Sequence, residues 1–143
     1  MPRITHTPAS HYPYVTDIQI YISHVNQGGH LDNAQLLTLV SEARVRFFQA
    51  LGYRESAVEG AFIVVGDIVA QYQSEAFHGE TMRVEMAATD FSKYGFDLQF
   101  RLCEKETGRP VALGKIGIVF ISPHARKVLP VPPAFLANVQ LLV

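Results

Sequence analysis

From Thr16 the chain reads TDIQIYIS, with Ile18, Ile20 and Ile22 alternating against Asp17, Gln19 and Tyr21. That period of two predicts a strand whose isoleucines face inward. A loop follows, His24-Val25-Asn26-Gln27-Gly28-Gly29-His30, and its adjacent glycines admit backbone angles closed to other residues. The period then changes. Leu36, Val40, Ala43, Phe47 and Leu51 recur at helical spacing, and Leu37, Leu39, Val45 and Phe48 widen the stripe until more than one side of the helix needs cover. Asp32 is placed to cap its start with Gln35 completing a capping box, Leu31 and Leu36 are set for a hydrophobic staple, and Gly52 ends it.

Everything after that helix reads as strand. AFIVVGDIVAQYQ (61–73) is a β-branched run. TMRVEMAAT (81–89) lines up Met82, Val84, Met86 and Ala88 on one face, and FDLQFRLCE (96–104) does the same with Phe96, Leu98, Phe100 and Leu102. PVALGKIGIVFIS (110–122) completes the set. The connectors around Gly79, Gly95 and Gly108 are short, so neighbouring strands are expected to run antiparallel. The fold class is therefore α+β: one curved antiparallel sheet wrapped round one long central helix. The sheet's outer face and its edges still need cover, which a second copy of the chain would supply. Residues 1–15 show no period and read as an N-terminal arm, residues 16–133 as the domain, and residues 134–143 as a C-terminal tail with an apolar end that must pack.

Composition narrows the partners. At 143 residues one domain is expected, and 12 Lys+Arg against 13 Asp+Glu offer no cationic surplus for a nucleic-acid backbone. Cys103 is alone, so neither a disulfide framework nor a cysteine zinc site is expected, and His24 with His30 lacks a third ligand at metal spacing. No stretch approaches the ~18 apolar residues of a membrane span, and MPRITHTPASHYPY has no apolar signal core, so a cytoplasmic protein is expected. A mean hydropathy of +0.12 is high for a small monomer and points to apolar surface shared between copies, a homodimer or a dimer of dimers.

The segment HVNQGGHLDNAQLLTLVSEARVRFFQALG (24–52) resembles the hotdog-fold acyl-CoA thioesterases of the 4-hydroxybenzoyl-CoA thioesterase type. Their entry to the central helix reads D-x-x-G-H-V-N-N, followed by a helix carrying E-A-R and ending in L-G. Asn26, Gly29, His30, Leu31, Asp32 and Asn33 occupy that series, and Glu42-Ala43-Arg44 and Leu51-Gly52 follow. Gly79 to Val84, Gly114 to Ser122 and Arg126-Lys127-Val128-Leu129-Pro130 match later elements, so the resemblance spans residues 16–133. It implies hydrolysis of an acyl-CoA at a site between subunits, with CoA entering as part of the substrate and no other cofactor.

The chain departs from that pattern at its central residue. The position that carries the family's catalytic Asp is Asn26, and an amide orients water or binds a carbonyl but takes no proton at neutral pH. Other hotdog thioesterases place the acid on the central helix, a part open here to Glu42, about 100° or more off the centre of the apolar stripe on a flank suited to a subunit junction. The alternative is an ion pair with Arg46 one helical turn on. A thioester oxygen needs N–H donors, and the amides of Gly28, Gly29 and His30 at the helix start are the candidates. His30 is also a candidate donor to the thioester, set against a structural role in the loop. Lys93, Arg126 and Lys127 are the cations available to CoA phosphates, and Tyr94-Gly95 stands where the family carries Ser-Phe beside the acyl pocket. A hotdog domain that binds an acyl thioester without cleaving it is the alternative, favoured by Asn26. A dehydratase acting on acyl thioesters is a third reading that the loop spacing fits poorly.

Overall fold

The computed structural model describes residues 3–142. Strand β1 (Tyr14–Gln19) leads through a 3₁₀ turn at Ile22–His24 into helix α1 (Asn33–Ala50). Strands β2 (Phe62–Tyr72), β3 (Thr81–Thr89), β4 (Gly95–Glu104) and β5 (Pro110–Ile121) follow, then a short helix α2 (Pro133–Gln140). The strands form one antiparallel sheet in the order β1-β3-β4-β5-β2. Consecutive hairpins join β3 to β4 and β4 to β5, as their short connectors require. The connector around Gly79, however, makes no hairpin, because β2 pairs with β5 and leaves β3 to β1, so that β1 and β2 become the two edges.

The sheet's inner face and the helix stripe meet as expected. Met82, Val84 and Met86 of β3, Leu98, Phe100 and Leu102 of β4, and Ile116, Ile118 and Phe120 of β5 share one buried cluster with Leu36, Leu39, Val40, Ala43, Phe47 and Phe48 of α1. Each large apolar side chain of that cluster contributes roughly 1.5–3 kcal/mol by leaving water. Three further expectations need correction. Ile22 does not extend the first strand: it is 73% exposed, because the His24 side chain takes the Tyr21 N–H through Nδ1 at 2.9 Å and turns the chain out of the sheet. The capping box is half formed: Asp32 Oδ2 accepts from Ala34 and Gln35 N–H, but the Asp32 N–H goes to the His24 carbonyl and not to Gln35. The apolar end of the chain is a helix started by Pro133, and Phe135 is driven into the core among Phe48, Phe96 and Phe120.

Part of the outer sheet face is covered by the arm. Tyr12 lies under the Arg101 guanidinium at 4.3 Å, His6 meets Gln99 at 3.0 Å, and Gln71 reaches the Ile4 carbonyl. Residues 1–2 and 143, the extremities assigned to arm and tail, lie outside the described residues. The outer edge of β2 is taken at its start, where the Ile63 N–H donates to the Glu55 carbonyl at 3.0 Å; beyond that, among the described residues, it is unpaired, with Val64, Val65, Ile68 and Tyr72 all exposed. Edge β1 is only 6 residues long, and its Asp17 is tied to Lys105 at 2.7 Å.

Candidate functional site

The loop between the first strand and α1 is organised by one side chain. Asn26 Oδ1 accepts the N–H of Gly28 at 3.0 Å and of His30 at 3.3 Å, while the Asn26 carbonyl accepts from Gly29 at 3.0 Å. Gly29 holds a φ of +80°, the left-handed conformation that the tight turn requires. The three amides proposed from the sequence as donors to a thioester are thus all engaged by Asn26. Among the described residues nothing bonds the Asn26 Nδ2 group.

His30 bridges outward from this loop. Its backbone pairs with Phe77, the Leu31 N–H donates to the Ala76 carbonyl at 2.7 Å, and its ring rests against the Phe77 ring at 5.2 Å. Nδ1 of His30 lies 3.1 Å from Glu75 Oε2, off the line of a straight hydrogen bond and otherwise without partner. Beside them runs a cleft of about 380 Å³ whose walls include Leu31, Leu36, Ala76 and Val111, with Tyr72, Ser74 and Glu75 at its rim. The Tyr72 hydroxyl donates to the Asn33 carbonyl at 2.8 Å, tying the end of β2 to the first turn of α1. Burial, and then the negative charge of Asp32, hold the Tyr72 phenol above its ordinary pKa. Glu75, Tyr72 and Ser74 were not singled out from the sequence. They follow β2 in a polar stretch with no motif, and only the fold carries them to the helix start.

Glu42 occupies a different place. It faces β1 in a pocket of about 490 Å³ with Tyr21, His24 and Thr38, on the flank of α1 turned away from edge β2. Arg46 Nε donates to Glu42 Oε2 at 2.8 Å, and Arg46 is itself fixed by Thr16 Oγ1 and the Asp17 carbonyl, both at 2.9 Å. Of the two roles open to Glu42 in the sequence, a carboxylate on a flank suited to a subunit junction and an ion pair with Arg46, the structure forms the ion pair, on the flank beside β1.

The remaining candidates lie at the far end of the sheet. Lys93 Nζ sits 5.3 Å from the Tyr94 ring centroid, and the loop they share is pinned by the Lys93 carbonyl to Val131 N–H and the Tyr94 carbonyl to Phe120 N–H. Arg126 and Lys127 are exposed in the turn after β5, where Arg126 has a φ of +56°. Register fixes the separation: Tyr72 at the helix-start end opposes Ala112, whereas Phe62 at the other end opposes Ile121. At ~3.4 Å per residue, that places the basic cluster roughly 30 Å from the helix start within one chain. Among the described residues no group of three or more His, Cys, Asp or Glu could hold a metal ion, and no helix is long and apolar enough to cross a membrane.

Comparison with known proteins agrees with this architecture. A family model described as the thioesterase-like superfamily matches residues 20–139. A proposed esterase of Synechocystis sp., sll0410, is 24% identical over 114 residues, covering 78% of this chain and 69% of that protein. Among solved structures, the 1,4-dihydroxy-2-naphthoyl-CoA thioesterase Slr0204 from Synechocystis superposes with a TM-score of 0.82 at 17% identity, over 90% of this chain and 96% of that one. The DHNA-CoA thioesterase from Staphylococcus aureus gives 0.78 at 18% identity, over 88% and 87%. At such identities these structures establish a shared fold, the hotdog fold.

Proposed function

The chain belongs to the thioesterase-like superfamily, and on that premise we propose that it hydrolyses an acyl-CoA thioester to the free acid and CoA at a site shared by two copies of the chain. The observation that carries the shared site is the open β2 edge. An edge strand of this length with four exposed apolar side chains is a template for pairing. Joining β2 to its counterpart in a second copy, antiparallel about a twofold axis, sets the Phe62 end of one beside the Tyr72 end of the other. The basic cluster of Lys93, Arg126 and Lys127 from one copy then approaches the helix start of its partner. The 30 Å gap within one chain becomes a short span across two.

In this arrangement CoA phosphates meet the basic cluster, and the acyl thioester enters the cleft beside Tyr72 and Leu36. With the loop amides held by Asn26, the donors left for the thioester oxygen are the Asn33 N–H, first of the helix, and the Asn26 Nδ2 group. Glu42 is not assigned the base, because Arg46 holds it over the opposite edge. Activation of water falls to His30, on the loop itself.

The direct test follows free thiol released from a panel of short-chain, long-chain and aromatic acyl-CoAs. Two solved neighbours named for 1,4-dihydroxy-2-naphthoyl-CoA or DHNA-CoA put an aromatic acyl-CoA first in that panel. Turnover of at least one member is expected. Tight binding of acyl-CoA with no thiol release would instead support the non-hydrolytic reading that Asn26 favours.

A further inference from the structure

We infer that Glu75 is the positioning residue for His30, supplying from the β2–β3 connector the carboxylate that the loop lacks at Asn26. The inference rests on the proposed hydrolysis and names its proton path.

Four observations converge on the pair. His30 Nδ1 is shut off from solvent, and among the described residues its one recorded polar neighbour is Glu75 Oε2 at 3.1 Å. The Glu75 side chain is 67% exposed, so a small rotation straightens the contact, a tightening common when substrate closes a site. The ring itself cannot turn away freely, since Phe77 packs on it and its backbone is bridged to the same connector. Its opposite edge lies over Gly28: a Cβ there would come within 2.9 Å of His30 Cδ2 and 3.4 Å of Nε2, and within 3.4 Å of Asn26 Oδ1. Glu75 thus holds one edge of the imidazole while the other edge looks onto the loop with Asn26.

A carboxylate at Nδ1 fixes the proton there and leaves Nε2 with a free electron pair. The step follows. Water attacks the thioester carbonyl carbon while Nε2 takes its proton, and a C–O bond forms. The C–S bond then breaks with its electron pair on sulfur, and the imidazolium returns the proton to the CoA thiolate. Acid and thiol leave, and only water is consumed. Glu75 touches no reacting atom; it sets which nitrogen is basic.

The test has two independent readouts on the full chain. The first is the long-range ¹H–¹⁵N spectrum of the His30 ring in mildly alkaline buffer, which separates the Nδ1–H from the Nε2–H form without any turnover. The Nδ1–H form is expected in the wild type and is expected to be lost in Glu75→Ala. The second is steady-state hydrolysis of whichever acyl-CoA the panel identifies. Glu75→Ala and His30→Ala are each expected to lower kcat by about 10²-fold at near-constant KM, the double variant no further, and Glu75→Asp to recover part of the loss. An active wild type whose His30 carries its proton on Nε2, or a Glu75→Ala variant within about twofold of wild-type kcat, overturns the role of Glu75 alone. A wild type with the Nδ1–H form but no turnover overturns the hydrolytic reading and leaves the pairing standing.

Discussion

Asn26 and His30 close a ring on each other: the Asn26 N–H donates to the His30 carbonyl at 2.9 Å, and Asn26 Oδ1 accepts the His30 N–H at 3.3 Å. The loop's shape therefore needs an acceptor at position 26 and not an acid. Asparagine and aspartate both serve as that acceptor, so Asn26 keeps the loop's shape while taking no proton at neutral pH. The proposed hydrolysis gives that part to His30, the side chain that the same ring positions.

Removing the acceptor should undo the loop. Asn26→Ala leaves the Gly28 and His30 amides without it, at a cost of about 1 kcal/mol in stability for groups that water can still reach. It should lower turnover far more, by about 10²-fold, since His30 loses its anchor. Asn26→Asp keeps the acceptor, so its melting temperature should stay close to wild type, and a rise in kcat would show the loop ready to use a carboxylate. Thermal melts alongside thiol release check both.

Glu42→Ala is the complementary case. Its partner Arg46 retains Thr16 and the Asp17 carbonyl, and the lost ion pair is half-exposed, so stability should fall by no more than about 1 kcal/mol. Turnover should stay within about threefold of wild type, in contrast to His30→Ala, because Glu42 faces away from the open edge. A 10²-fold drop would restore Glu42 to the mechanism.

Much of this architecture is legible in the residue pattern, and the exceptions share a cause. The bounds of β3 and β4 follow from strict alternation between short glycine turns, and Asp32 announces the start of α1 by its place before the apolar stripe. Local rules suffice for both. Ile22 escaped them because one hydrogen bond from the Tyr21 N–H to the His24 ring outweighs a period of two. Phe135 escaped because eight residues carry too few turns to show helical spacing. The sense of Glu42's flank depends on which edge strand lies on which side of α1, a property of the strand order. Glu75 reaches His30 only through the crossover that places β2 at the edge, so no motif joins them.

The β4–β5 turn gives the clearest pH dependence. The Glu104 carboxylate accepts from the N–H of Glu106 and Thr107, both at 2.9 Å, and from the Thr107 hydroxyl. The Glu106 N–H bond, outweighing burial, together with the two Thr107 bonds and the nearby Arg109, lowers its pKa below the ordinary 4.5. A group depressed on folding adds stability that is fully present above its unfolded value and lost as pH falls through its folded one. Glu104→Gln should therefore melt lower than wild type near neutral pH, and the difference should close as pH drops below 4.5. Paired melts across that range read it directly, and a gap that persists in acid would mean the turn depends on shape and not on charge.

Whether one active site draws on two chains can be decided by mixing inactive proteins. His30→Ala removes the helix-start half of the site, and a joint Arg126→Ala, Lys127→Ala change removes the basic half; each homodimer should turn over acyl-CoA poorly. When the two are unfolded and refolded together in equal amounts, about half of the dimers should be mixed, as random pairing about a twofold dictates. In a mixed dimer the two lesions fall in one shared site and leave the other intact, so about a quarter of wild-type turnover should return. If each site lay within a single chain, every site would keep one lesion and nothing would return. Ile68→Lys supplies the control on the edge itself. If the proposed β2 pairing holds, a charge there should leave the monomer folded, shift the scattering mass from that of a dimer to that of a single chain, and abolish the rescue.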